Sequence, residues 1–111
     1  MLASDVIDVV RQNLDDIKEE YRFDDPELLN TLTSSTRRLA VDRPDLLVDD
    51  DGLIIPIVDV TTLSQVLVFD RDFLEALSNH VCFLIFAKDN SDNHNATQSA
   101  IHKSLYDAAI N

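Results

Sequence analysis

Apolar residues at Val6, Val10, Leu14 and Ile17, with Ile7 and Tyr21 beside them, recur at the spacing that places them on one face of a helix. Asp8, Arg11, Asp15, Lys18 and Glu19 fall on the opposite side. Ser4 or Asp5 is placed to cap this helix, and the pattern predicts a single amphipathic element ending before Phe23. Asp24-Asp25-Pro26-Glu27 then supplies an acidic cap, a proline at the first helical position and an acid where the helix dipole is positive. Leu28, Leu29, Leu32, Thr36, Leu39 and Ala40 carry a second helix toward Arg37, Arg38 and Arg43, with Pro44 ending it at Arg43.

The pattern changes from Pro44 to Arg71. An acidic turn closes on Asp49-Asp50-Asp51-Gly52, and Leu53 to Val58 is β-branched enough to extend as a strand. Pro56 lacks the N–H that a central strand donates, so the segment reads as an edge strand or an arm, with Val66-Leu67-Val68 as a candidate hairpin partner. Asp70 or Asp72 opens a third helix, with Phe73, Leu77, Val81, Leu84 and Lys88 on one stripe and Leu74, Ile85 and Phe86 alongside. Apolar over more than half its circumference, it is expected at the centre. A polar break from Asp89 to Asn95 leads to a last helix, expected to turn Thr97, Ile101, Leu105 and Ala108 inward. The predicted fold is mostly α, a single four-helix domain spanning residues 1–111 with an extended loop or short β-hairpin between helices two and three.

Composition narrows the function. Nine basic and 21 acidic residues give a net charge of −12, with a pI near 4.3. That balance argues against general nucleic-acid binding, which depends on Lys and Arg displacing counterions from phosphates, and against an anionic membrane surface. A 45% hydrophobic fraction argues for a folded chain. The single glycine, Gly52, is too few for either glycine-rich phosphate loop. One cysteine, Cys82, sits among Val81, Phe83, Leu84, Ile85 and Phe86 and reads as a buried thiol. The amino terminus carries no basic region ahead of an apolar run, so a cytosolic site of synthesis is expected.

Candidate chemistry is sparse. Asp49-Asp50-Asp51-Gly52 invites a calcium-loop reading, but aligning Gly52 with the loop's sixth position puts Leu47 at the first ligand and Val58 at the twelfth. A solvated acidic turn explains the run better. His80, His94 and His102 lack zinc-ligand spacing, and Cys82 in apolar surroundings is a poor nucleophile. The expectation is a non-enzymatic protein with no cofactor and no metal.

The order of segments is more specific. Asp24-Asp25-Pro26-Glu27-Leu28-Leu29-Asn30, then Arg37-Arg38-Leu39-Ala40 and Arg43-Pro44-Asp45, resembles the corresponding segment of head-to-tail adaptor (connector) proteins of tailed bacteriophages. Phe73-Leu74-Glu75-Ala76-Leu77, the run through Phe86-Ala87-Lys88-Asp89, the polar break and a helix from Asn95-Ala96 to Ala109 are similar to that family's last two helices. The resemblance implies a structural virion protein at the neck, made in the host bacterial cytoplasm. Such proteins form a homo-oligomeric ring, twelvefold like the portal, below the portal protein and above a downstream tail or stopper protein. DNA passes through without specific binding, and an acidic wall suits that passage because it repels phosphates.

Because the chain stops at Asn111, portal docking is expected on the exposed side of the last helix, at Lys103, Tyr106, Ile110 and Asn111. The excursion residues Asp49, Asp50, Asp51, Leu53, Ile55 and Ile57 are the candidates for contact with a neighbouring subunit or the tail. The competing reading is an acidic DNA mimic that occupies the basic groove of a nuclease or repressor. Against it, 14 of the 21 acids fall within residues 1–51, leaving the second half too sparsely charged for a long phosphate-like face.

Overall fold

In the computed structural model, which describes residues 1–15, 23–88 and 93–111, the protein is mostly helical. Four helices are present among these residues: α1 (Ala3–Asn13), α2 (Asp25–Asp42), α3 (Leu74–Lys88) and α4 (Asn93–Ile110). Short 3-10 turns occupy Pro44–Leu47 and Arg71–Phe73.

α3 packs against each of the other three helices, the central place its apolar circumference predicts. Its Leu77, Val81, Cys82 and Ile85 join Val6, Ile7 and Val10 of α1 and Leu28, Leu32 and Leu39 of α2 in one core. The molecule measures 47 × 28 × 18 Å, so much of its surface lies on two broad sides.

α1 is shorter than its periodicity suggests. Leu14 donates to the Val10 carbonyl, and Asp15 then turns into the left-handed region at φ 53°, a conformation Asp tolerates better than most residues and one that ends a right-handed helix. The expected positions Ile17, Lys18, Glu19 and Tyr21 lie outside the described residues. The amino end also differs: neither Ser4 nor Asp5 is the cap residue. The helix starts after Leu2, and the Asp5 carboxylate reaches back to accept from the Leu2 N–H at 2.8 Å.

A second correction concerns Arg11, expected on the charged outer face. Its side chain is buried, donating to the Phe23 carbonyl at 2.9 Å and to Asp25 Oδ1 at 2.7 Å. It therefore ties α1 to the start of α2. That start follows its sequence signals: Asp24 Oδ1 accepts from the Glu27 N–H at 2.9 Å, and Pro26 sits in the first turn.

The excursion is extended but forms no strand among the described residues. The pairing expected between Leu53–Val58 and Val66–Val68 is absent as a ladder. Val48 instead makes an isolated antiparallel bridge to Ile54 across the tight turn at Asp49–Gly52, and Val66 bridges to Leu2. Gly52 takes φ +79°, which L side chains rarely adopt. The excursion's carbonyls serve α1 directly: Leu63 and Gln65 accept from the N–H groups of Ser4 and Ala3 at 2.8 and 2.9 Å. Helix amino termini lack internal acceptors, so this segment caps the helix and is thereby anchored to it. Val60, Leu67 and Phe69 alternate inward from the same stretch into the core.

Candidate interaction surfaces

α4 is oriented opposite to expectation. Thr97, Ile101, Leu105 and Ala108, predicted to face inward, are exposed, Ile101 and Leu105 by 44% and 48%. The buried side carries Ser99, His102 and Tyr106, and Tyr106 is wholly inaccessible. Of the residues expected to dock the portal from an exposed side, Tyr106 is therefore in the core. Lys103 is half-buried and paired with Asp107 at 2.6 Å, Ile110 is half-buried, and Asn111 alone is exposed. The four do not make one outward face.

The reversal has a physical cause. A polar residue enters a core only where its hydrogen bonds are met, and each of these three has a partner waiting. Ser99 donates to the Phe83 carbonyl at 3.2 Å, and His102 Nδ1 bonds to Asn79 Oδ1 at 2.9 Å while its ring stacks on Phe86. The Tyr106 hydroxyl donates to Asp42 Oδ2 at 2.6 Å. That bond, followed by Arg38, holds the Asp42 carboxyl below its ordinary range, and burial together with Asp42 pushes the Tyr106 hydroxyl upward.

Arg43 fixes the end of the helix: it donates to the Ile110 carbonyl at 2.5 Å and pairs with Asp45 at 2.9 Å. The Arg43-Pro44-Asp45 triplet thus acts as a clamp on the carboxyl end of α4. Sequence reasoning missed this inner face, although Ser99, His102 and Tyr106 stand at helical spacing on one stripe.

His80 lies at the centre of this network. Its Nδ1 shares a 2.8 Å hydrogen bond with Ser35 Oγ, and its ring meets Tyr106 edge-on at 4.6 Å. Burial, reinforced by Lys103 and Arg38, pushes its pKa down to about 4, so it is neutral at pH 7. Ser35 and His80 have the pairing of a nucleophile and a base, but both are buried, closed off from any substrate. Burial also drives the Cys82 thiol up to about 12, the inert state expected of it. No group of three or more His, Cys, Asp or Glu among the described residues could hold a metal ion.

The Asp49–Gly52 turn uses its own acids. Asp49 Oδ1 accepts from the N–H groups of Asp51 and Leu53, both at 2.9 Å, so this carboxylate is engaged by the turn's backbone. Asp50 and Asp51 are exposed beside it, and Leu53 and Ile54 are exposed at its far edge, Ile54 by 82%. Ile55 and Ile57, candidates for outside contact, are instead half-buried against the core.

Besides Leu53 and Ile54 at the turn, two further apolar surfaces stand open among the described residues. One is the outer side of α4, where Ala96, Thr97, Ala100, Ile101, Ser104 and Leu105 line a shallow groove of about 670 Å³. The other lies on the excursion, where Val58, Val66 and Val68 border one small cavity, with Leu2 joined through the Val66 bridge. All four are at least one-third exposed. Arg37 pairs with Asp59 and Arg71 with Asp5 around this second surface. No helix among the described residues is long and apolar enough to cross a membrane. No family model, curated protein or solved structure matches the chain.

Proposed function

We propose that this protein is a structural component of a tailed-bacteriophage neck, a head-to-tail adaptor that forms a ring beneath the portal and extends the DNA channel toward the tail. The observation that carries the reading is the outward apolar side of α4. A small domain that spends Ile101 and Leu105 on solvent while burying Ser99, His102 and Tyr106 has a surface suited to assembly. The order of sequence segments supplies the class of assembly. Surplus acid suits a channel wall, since Lys or Arg contacts would hold phosphates in passage.

The decisive experiment mixes this protein in micromolar excess with a purified portal ring and images the product by electron microscopy. The expected result is an added layer on one end of the ring; a bare portal would overturn the proposal. The exposed acids at Asp50 and Asp51 favour, as a second reading, a DNA-mimic inhibitor. It predicts salt-sensitive binding to a basic nuclease or repressor, and such binding without an added portal layer would replace the adaptor reading.

A further inference from the structure

Resting on the ring reading, we infer that the outer side of α4 is an inter-subunit surface whose occupant is the excursion patch of a second copy of this chain, Val58, Val66 and Val68 of one subunit meeting Ala100, Ile101 and Leu105 of the next. Charge is the first reason. Two copies at −12 each repel wherever acids face one another. Between Ala96 and Leu105 the outward positions Ala96, Thr97, Ala100, Ile101, Ser104 and Leu105 carry no charge, and neither do Leu2, Val58, Val66 and Val68. The acids bordering these surfaces, Asp5, Asp59 and Asp107, are each ion-paired within the subunit, so the contact opposes no unpaired acid to another.

Placement is the second reason. The patches belong to different parts of the molecule: α4 lies on α3, whereas the excursion is held by α1 through Ala3 and Ser4 and by α2 through Thr33, whose hydroxyl accepts from the Val60 N–H at 2.8 Å. A contact between unlike surfaces is head-to-tail, and it closes into a ring when its repeated rotation completes a circle, as a ring-shaped template would impose. Shape is the third. Ala96, Ala100 and Ser104 recur every four residues along the α4 groove beside Ile101 and Leu105, and Val58 and Val66, exposed by 57% and 68%, are branched apolar side chains of the kind such a groove accepts.

Size sets the strength. An 18-residue helix is about 27 Å long and presents a strip on the order of 300 Å². A stable pairwise interface takes about 800 Å² per partner. A single contact is therefore weak. The protein should be monomeric at micromolar concentration and close into a ring when copies are arrayed on a template.

Paired cysteines test this. Leu105→Cys and Val58→Cys are placed singly and together, with the buried, inert Cys82 left in place. Each protein is incubated with purified portal ring, oxidised, quenched with a thiol-blocking reagent and run on a non-reducing denaturing gel. The double variant should give a ladder of cross-linked multimers, at least tenfold stronger than either single variant. Two results would overturn the inference: a strong dimer from Leu105→Cys alone, which means α4 meets α4, or an added layer on the portal without a ladder. Absence of the layer itself would instead remove the ring reading. As a second arm, Val58→Glu should stay folded by circular dichroism and lose the layer, and a layer of unchanged occupancy would count against the contact.

Discussion

α1 and α4 both pack on α3, yet they obey opposite rules. α1 buries Ala3, Val6, Ile7 and Val10, as its apolar periodicity demands; α4 buries Ser99, His102 and Tyr106 and leaves Ile101 and Leu105 in solvent. The difference lies in what each helix meets. α1 lies against aliphatic side chains of α3, while α4 meets a polar seam formed by the Phe83 carbonyl, Asn79, His80 and Asp42. Helix orientation follows the partner's surface as much as the helix's own sequence.

The largest effect expected from that comparison is at Tyr106. Tyr106→Ala removes a wholly buried aromatic ring and its hydroxyl bond to Asp42, and should lower unfolding free energy by about 3–5 kcal/mol. Leu105→Ala, one position away, should change it by no more than about 0.5 kcal/mol. Urea denaturation of both variants checks the pair. Equal losses would mean that Leu105 is a core residue and that the orientation of α4 is wrong.

Acid provides the next test. His80 has an ordinary value of 6.5 and is held at about 4 in the fold, so the unfolded chain binds its proton first. The stability from keeping this ring neutral is present above pH 6.5 and is lost as pH falls toward 4. Between pH 7 and pH 5 the loss should be about 2 kcal/mol. His102, also depressed by burial, acts in the same direction. His80→Asn keeps a hydrogen-bonding group for Ser35 and should flatten the difference measured at the two pH values. Hydrogen exchange should show α4 opening before α1 as pH falls, since α1 carries no buried histidine; simultaneous opening would erase the contrast between the helices.

Tyr106→Phe isolates the hydroxyl. The cost should be about 1 kcal/mol, because Asp42 keeps its bond to Arg38 at 3.0 Å and only the neutral donor is lost. Asp42 should titrate at higher pH in the variant, and an NMR titration of its carboxyl reads that shift directly. An unmoved Asp42 would show that Arg38 alone sets its charge.

Much of the fold could be read from spacing and capping, and the parts that could not share one physical origin. The start of α2 at Asp24, the central position of α3 and the burial of Cys82 all follow from local chemistry, in which the residues that signal an element also build it. The inward turn of Tyr106, the burial of Arg11 and the bridge from Val66 to Leu2 depend on groups distant in the chain: Asp42, Phe23 with Asp25, and the amino terminus. Arg11 and Tyr106 are polar-tipped residues whose side depends on whether a remote partner completes their hydrogen bonds, and a single sequence does not display that partner. The same blindness hid the candidate interaction surface. Ile101 and Leu105 read as core because apolar residues at helical spacing usually are, and only the polar seam on α3 and α2 turns them outward.

The smallest expected effect tests that last point most directly. Ile101→Gln together with Leu105→Gln replaces two apolar side chains on α4 with residues of good helix propensity and no charge. If these positions face solvent, unfolding free energy should stay within about 0.5 kcal/mol of the parent, because little apolar area returns to water on unfolding. The same changes at Val6 and Val10 of α1 would put two amides into a closed core without partners, and the protein should not fold. The informative quantity is the difference between the two pairs, since it compares apolar-to-Gln changes on two helices that both pack on α3. With stability unchanged, loss of the portal-bound layer in the α4 double variant would then report on assembly alone. A destabilised α4 variant would instead place Ile101 and Leu105 back in the core, and would remove with them the surface on which the assembly reading stands.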